Sequence, residues 1–300
     1  MGSGRRRPSV LIYVSGGGNE GMGHIVRSSH LANCLSKSCE VGVAFDARRL
    51  ELIPDWLLAR RLPLKQTDLR DVSPVEASGF QADVFVLDVM FPRDDWLRSC
   101  PRSVVIVGAG WSITEEIAAA ASLLIYQTGF HVKHHYLVPS LSGPDYLMLG
   151  PAYGRRGGAK EREPLVSFGA GIPESYQVAL LRAFPDALVP EPGEMLYGLQ
   201  RAAPVHAGSL GMSTYESMSL GCVPVVVSRS TDHQETAAKL DAMGVVVDCG
   251  ILADCPSRDM VPVVRDVLLD DRRRAVLAEA GQDLVDGKGL ARVAKAVLNV

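Results

Sequence analysis

At 300 residues the chain is longer than one average domain and short of three, so two domains are expected. Hydrophobic residues make up 47% and charged residues 22%, which is ordinary for a globular chain able to bury a core. A formal net charge of −3, from 31 Lys and Arg against 34 Asp and Glu, lacks the basic excess of a nucleic-acid binder.

Arg5-Arg6-Arg7 is the one dense basic run, and its Gly and Ser flanks mark a solvated tail. The apolar run Val10–Val14 stops at Ser15 and a glycine cluster, too short for a signal-peptide core or a bilayer span. No later stretch reaches membrane-spanning length. Cys34, Cys39, Cys100, Cys222, Cys249 and Cys255 form no CxxC pair, so reduced, mostly buried thiols in a cytoplasmic protein are expected.

Short apolar, β-branched runs at Val10–Val14, Val41–Phe45, Val84–Leu87, Val104–Val107 and Leu123–Tyr126 predict strands. Amphipathic stretches such as Ile25–Leu35 and Asp55–Arg61 predict the helices between them. Continuous apolar strands alternating with helices imply a parallel sheet covered on both faces. A polar, glycine-rich break, Gly154–Glu161, marks a linker at about residues 152–162, dividing a domain 1–152 from a domain 162–300. The pattern restarts with strands at Leu165–Phe168, Pro204–Ala207, Val223–Val227 and Val245–Val247. Helices are expected at Glu174–Phe184, Ser213–Leu220 and Glu235–Met243, and the C-terminal stretch reads as helix throughout.

Strand one runs into Ser15-Gly16-Gly17-Gly18-Asn19-Glu20-Gly21-Met22-Gly23-His24, then a helix. Such a loop lets backbone approach a ligand and points free helix N–H groups at it. Gly16–Gly21 also fits G-x-G-x-x-G, with Asp46 ending strand two, so a nicotinamide or flavin site is an alternative. The helix, however, starts after Gly23 rather than inside that fingerprint. His24 stands at a strand's C-terminal end, where α/β sheets hold ligands, and reads as a functional group or a helix-start cap. Asp88 ends an apolar strand at the same face, as a helix cap, a second base or an acceptor for sugar hydroxyls.

The second half offers Gly169-Ala170-Gly171 after one strand and His206–Thr214 after the next. Ser213 and Thr214 suit a helix cap, and that helix N-terminus suits a diphosphate. Glu216, placed in the first turn, complements the helix dipole or accepts from ribose hydroxyls. His131, His134 and His135 form H-x-x-H-H without a carboxylate or thiol partner, so they read as a surface loop and no metal is expected. Neither a G-x-S-x-G elbow nor a P-loop is present. Trp56 and Trp96 read as core or wall residues, and Trp111, after a glycine turn, is a candidate for the sugar.

Gly21-Met22-Gly23-His24-Ile25-Val26-Arg27 resembles the G-x-G-H-x-x-R segment of UDP-sugar hydrolases of the pseudaminic acid pathway and their spore-coat relatives, in the MurG-like branch of the GT-B superfamily. Gly208-Ser209, Ser213-Thr214, Glu216, Gly221 and Pro224 are similar to the family's nucleotide segment, and Asp232-His233-Gln234-Glu235 to its sugar-facing helix start. Leu149–Tyr153 matches the lead-in to the linker. The resemblance implies a GT-B-like α/β fold of two Rossmann-like domains with parallel sheets facing across a cleft. It implies UDP on Gly169, Gly171, Gly208, Ser209, Ser213, Thr214 and Glu216. The sugar would meet Gly21, Gly23, Arg27, Trp111, Tyr153, His233, Gln234 and Glu235, with His24 and Asp88 catalytic and no cofactor needed. Hydrolysis of a UDP-sugar at its anomeric C–O bond is the expected reaction, with glycosyl transfer as the alternative. An oxidoreductase and a catalytically silent nucleotide-sugar binder stand behind both. The chain departs from the family at Val89-Met90-Phe91 and at Gly108-Ala109-Gly110-Trp111. The interval from Phe168 to His206 also leaves room for one fewer β-α unit.

Overall fold

The computed structural model describes residues 6–15, 23–46, 64–67, 78–89, 97, 103–108, 113–127, 136–154, 161–169, 171–191 and 196–300. Gly21, Trp111, the helix expected at Asp55–Arg61, the H-x-x-H-H segment, Trp56, Trp96 and Cys100 lie outside them. The chain divides into two compact units, residues 1–148 with 288–300, and residues 149–287.

The first unit holds one parallel sheet of seven strands: β1 (Ser9–Val14), β2 (Glu40–Asp46), β3 (Leu64–Thr67), β4 (Val84–Asp88), β5 (Ser103–Val107), β6 (Leu123–Ile125) and β7 (Ser140–Leu141). Their order is β3-β2-β1-β4-β5-β6-β7. Helix α1 (Gly23–Leu35) follows β1, and the short α2 (Glu115–Ala119) lies between β5 and β6. β1 and β4 are buried along their whole length. Val10, Ile12 and Val14 face one cluster with Ile25, Leu31 and Leu35 of α1, while Leu11 and Tyr13 face another with Ile117 of α2. A strand covered on both faces has no polar side to alternate with, hence the unbroken apolar run.

The final helix belongs here as well. Leu290, Val293, Ala294 and Val297 form a stripe at spacings of three and four that packs into the cluster of α1. The expectation that the second domain runs from 162 to 300 therefore differs at its end, because this stripe finds its apolar partner in the first unit.

The second unit has a four-stranded parallel sheet, ordered β11-β10-β9-β8. Its strands are β8 (Leu165–Ser167), β9 (Val205–Ser209), β10 (Val223–Ser228) and β11 (Val247–Ile251). Its helices are α3 (Glu174–Ala183), α4 (Tyr197–Ala202), α5 (Met212–Ser219), α6 (Thr231–Ala242), α7 (Ser257–Leu269) and α8 (Asp271–Leu284). On the edge of β8 away from β9, Leu188 makes a single parallel bridge with Leu165. The Val166 N–H donates to the Leu188 carbonyl at 2.9 Å and the Leu188 N–H to the Pro164 carbonyl at 2.9 Å. The short interval before His206 thus holds a strand reduced to one residue. β11 starts at Val247 rather than Val245, after a turn in which Gly244 takes φ +69°. α6 starts at Thr231, earlier than Glu235, because the Ser230 hydroxyl accepts from the His233 N–H and caps it there. The strands β3 and β7 and the helices α2 and α4 had no sequence expectation.

α9 (Gly289–Val297) begins against the backbone of Leu147: a Cβ at Gly289 would lie 2.2 Å from the Leu147 carbonyl oxygen. Gly289→Ala gains at most about 1 kcal/mol of helix propensity, and the clash with immovable backbone costs about 1–3 kcal/mol. A net loss of stability in chemical denaturation is expected, and an unchanged midpoint would refute the close approach.

Candidate functional site

In the first sheet the chain passes from β1 to β2 on one side and from β4 to β5 on the other, so β1 and β4 flank the point where the strand order reverses. Ligands of open α/β sheets bind at the carboxyl ends of such neighbours. Both candidate catalytic residues lie there. Asp88 is the last residue of β4, paired with Val14, and His24 is the second residue of α1.

The Asp88 side chain is 0% exposed, and both its oxygens are occupied. Oδ1 accepts from His24 Nδ1 at 2.7 Å and from Arg27 Nη2 at 2.5 Å. Oδ2 accepts from Arg27 Nε at 2.9 Å and from the Ser28 hydroxyl at 2.6 Å. Burial works hardest on this carboxyl, against ionisation. The charge of Arg27, with the hydrogen bonds from Arg27 and His24, outweighs it and holds Asp88 well below the usual carboxylate range. An ionised Asp88 has no proton to give, so His24 Nδ1 must carry the hydrogen. Arg27 Nη2 also lies 3.0 Å from that nitrogen, but two donors cannot bond one another, and its hydrogen goes to Oδ1. When the ring is neutral, its Nε2 is then left with the lone pair.

This arrangement bears on two expectations. Asp88 has no exposed oxygen, and its hydrogen bonds go to His24, Arg27 and Ser28. Arg27, expected on the sugar, is buried with Nε and Nη2 committed to Asp88. The His24–Asp88 pairing went unread because the two residues are 64 positions apart. Gly23 opens α1.

In the second unit, β8 and β9 flank the corresponding reversal, since the Leu188 bridge lies beyond β8 and β10 beyond β9. There the Gly169 N–H donates to the Ser209 hydroxyl at 3.0 Å. The Thr214 hydroxyl accepts from the Gly211 N–H at 3.2 Å, closing the start of α5, while Ser213 lends only its carbonyl, to Gln200 Nε2 at 3.0 Å. Gly208 is a strand residue, and a Cβ there would lie 2.6 Å from the Ser167 carbonyl oxygen and 2.9 Å from the His206 ring. Its bareness serves packing. Gly171, at φ +83°, leaves room for the Arg229 side chain.

Behind this edge runs a buried polar chain. Gln200 Nε2 donates to the Ser217 hydroxyl at 3.0 Å, Ser217 pairs with His206 Nδ1 at 2.8 Å, and His206 Nε2 faces the Ser167 carbonyl at 3.2 Å. Only an Nε2–H satisfies a carbonyl, so Nδ1 accepts from Ser217. Burial holds His206 neutral, pushed down to about 4. Glu216 falls in the second turn of α5, not the first, so it does not complement the helix dipole. Glu216 is half-buried, and burial pushes its carboxyl up to about 7, against hydrogen bonds from Gln200 and Tyr153. Tyr153, expected on the sugar, is buried, stacks edge-on against Tyr197 at 5.4 Å and supports Glu216.

At the start of α6, Gln234 Nε2 donates to Asp248 Oδ2 at 2.5 Å. Gln234 Oε1, His233 Nδ1 and the hydroxyl of Ser228 at the end of β10 are buried without a hydrogen-bond partner among the described residues. Unmet polar groups gathered at one strand end are costly unless a ligand or water meets them. Glu235 is exposed and, one and two positions beyond its neighbours, turned to another face of the helix. Among the described residues no group of three or more His, Cys, Asp or Glu is placed to hold a metal ion, and no helix is long and apolar enough to cross a membrane.

Two parallel sheets with ligand-type edges at both reversals define a GT-B-like fold, and the comparisons agree. MurG of Acinetobacter baumannii superposes with a TM-score of 0.64 at 15% identity, covering 98% of this chain and all of that one. The spinosyn rhamnosyltransferase SpnG in complex with thymidine diphosphate gives 0.65 at 12% identity, covering 96% of this chain and 99% of that one. UGT2 of Phytolacca americana, complexed with UDP-2fluoro-glucose and pterostilbene, gives 0.64 at 11%, covering 99% and 100%. In sequence, the chain is similar to the spore coat polysaccharide biosynthesis protein SpsG of Bacillus subtilis strain 168, 23% identical over 95% of this chain and 96% of that protein. No family model matches.

Glu216 and His206 make opposite demands on pH. Glu216 takes up a proton in the folded state that an ordinary carboxyl lacks, so its contribution is complete below about pH 4.5 and is lost as pH rises through about 7. His206 stays neutral where an ordinary imidazole protonates, so its contribution is complete above about pH 6.5 and is lost as pH falls toward about 4. Glu216→Gln should therefore lose less melting temperature than the unaltered protein between about pH 5 and 7.5. A constant difference across that range would show that Glu216 is ionised throughout.

Proposed function

We propose that the protein is a glycosyltransferase that uses a nucleoside-diphosphate sugar, the nucleotide held by residues 149–287 and the base supplied by His24. One observation carries the reading: His24 Nδ1 meets the buried Asp88 at 2.7 Å at the β1/β4 reversal, which leaves Nε2 to accept when the ring is neutral. Solved proteins of the same fold bear transferase names, and two are complexed with a nucleoside diphosphate or a UDP-sugar. That favours transfer over the hydrolysis expected from the sequence resemblance.

In this mechanism His24 Nε2 takes the proton of an acceptor hydroxyl while its oxygen attacks the anomeric carbon. The bond from that carbon to the diphosphate oxygen breaks, its electron pair leaves with the nucleotide, and a single displacement inverts the anomeric centre. The departing charge falls on the N–H groups at the start of α5, beside Gly169 and Ser209. Ribose hydroxyls donate to Glu216, oriented by Tyr153 and Gln200. The unmet atoms of Ser228, His233 and Gln234 receive sugar hydroxyls. UDP is the nucleotide we assign, in line with the resemblance of the Gly208–Glu216 segment.

Two expectations follow. His24→Ala should lower turnover by roughly 10²–10⁴-fold with nucleotide affinity unchanged, whereas Glu216→Ala should weaken UDP binding by about 1–3 kcal/mol. In calorimetry with UDP, dTDP and GDP, equal affinity of the Glu216 variant and the unaltered protein would remove the nucleotide assignment. Rapid release of free sugar from the donor with no acceptor present would restore the hydrolase.

A further inference from the structure

His24, Arg27 and Ser28 stand at positions i, i+3 and i+4 of α1, so all three share the face turned to the end of β4. Arg27 bridges both oxygens of Asp88, through Nη2 at 2.5 Å and Nε at 2.9 Å. The guanidinium has room because residue 108, just past β5, is glycine. A Cβ there would lie 2.4 Å from Arg27 Nη2, and the φ of +71° itself disfavours a side chain. The site at Asp88 is thus built from four segments: α1, β4, the end of β5 and, through the Gly108 N–H donating to the Ile125 carbonyl at 2.8 Å, β6.

A buried ion pair of this kind is poorly explained by stability, since well-packed apolar residues serve a core as well. It does have a chemical consequence at His24. Were the cation missing, burial would favour a protonated Asp88, whose O–H would donate to His24 Nδ1. The imidazole hydrogen would then sit on Nε2, the nitrogen that has to accept the acceptor's proton. The ion pair is net neutral, so it selects the tautomer without adding a charge of its own.

We infer that Arg27 is a positioning residue, not a sugar ligand: by clamping Asp88 ionised, with Gly108 providing the space, it holds His24 in the Nδ1–H tautomer. The consequence for catalysis rests on the reading of His24 as the transfer base; the tautomer does not.

The test joins a spectroscopic readout to a kinetic one. With ¹⁵N-histidine-labelled full-length protein, the long-range ring correlations of His24 report which nitrogen bears hydrogen. In Arg27→Met the signal should move from the Nδ1–H to the Nε2–H pattern, and kcat should fall by roughly 10–10²-fold with donor KM within about twofold. Arg27→Lys, which keeps the charge, should restore the Nδ1–H pattern. If Arg27→Met does not fold, Gly108→Ala displaces the guanidinium with both charges still in the chain and should give the same two changes. Unchanged His24 correlations in Arg27→Met, or in Gly108→Ala where Arg27→Met does not fold, would overturn the inference, as would a loss confined to donor KM, the mark of a sugar ligand. A tautomer change in a protein that transfers no sugar would uphold the inference and reject the transferase reading instead.

Discussion

A carboxylate cut off from water stays ionised only where its neighbours replace the hydrogen bonds and the charge that water would supply. Asp88 is that group, and much of the first unit is arranged around it. The parallel pairing of β1 with β4 brings the end of β4 beside the start of α1. The helical repeat aligns His24, Arg27 and Ser28 on one face, and the glycine after β5 leaves the guanidinium its place. Four donors converge on two oxygens. Removing one partner from such a buried pair typically costs about 3–5 kcal/mol, which makes the arrangement stiff as well as neutral overall. Stiffness is what the base proposed at His24 needs, because the hydrogen must stay on Nδ1.

The second unit meets the same difficulty without ions. His206 is kept neutral by burial and spends both ring nitrogens on Ser217 and Ser167. Glu216 is pushed toward its protonated form, with Tyr153 and Gln200 as partners. This network ties α4, α5, β8 and β9 together behind the edge where Gly169 meets Ser209. In front of it, Ser228, His233 and Gln234 keep atoms without partners. Buried polar atoms at a strand end call for a polar ligand or water to meet them.

Topology locates both edges. In each sheet the chain turns back at the neighbour of its first strand, β1 against β4 and β8 against β9, and the chemistry-bearing residues collect at the carboxyl ends of those pairs. The second sheet keeps its reversal although the strand on the far side of β8 has shrunk to the Leu188 bridge. One pair of backbone hydrogen bonds is enough to send the chain to the outer edge and back.

The sequence by itself determined the α/β class, the strands around Val10–Val14, Val84–Leu87 and Val223–Val227, the position of His24 at a strand end and the glycine turns before α5. Those features are local: an unbroken apolar run, a period of 3.6, or a glycine before a helix is written in adjacent residues. The strands β3 and β7, of four and two residues, carry too little apolar pattern to be read. The tertiary structure alone decided what the polar residues do. Arg27 and Tyr153 had been assigned to a sugar by motif position, and each instead supports a carboxylate distant in sequence, Asp88 and Glu216. The stripe of α9 was legible as a helix, but its partner in the first unit was not. A motif records which residue stands where along the chain. Whether a carboxylate is ionised, which imidazole nitrogen bears the hydrogen and where an apolar stripe is buried depend on neighbours that only the fold brings within a few ångströms.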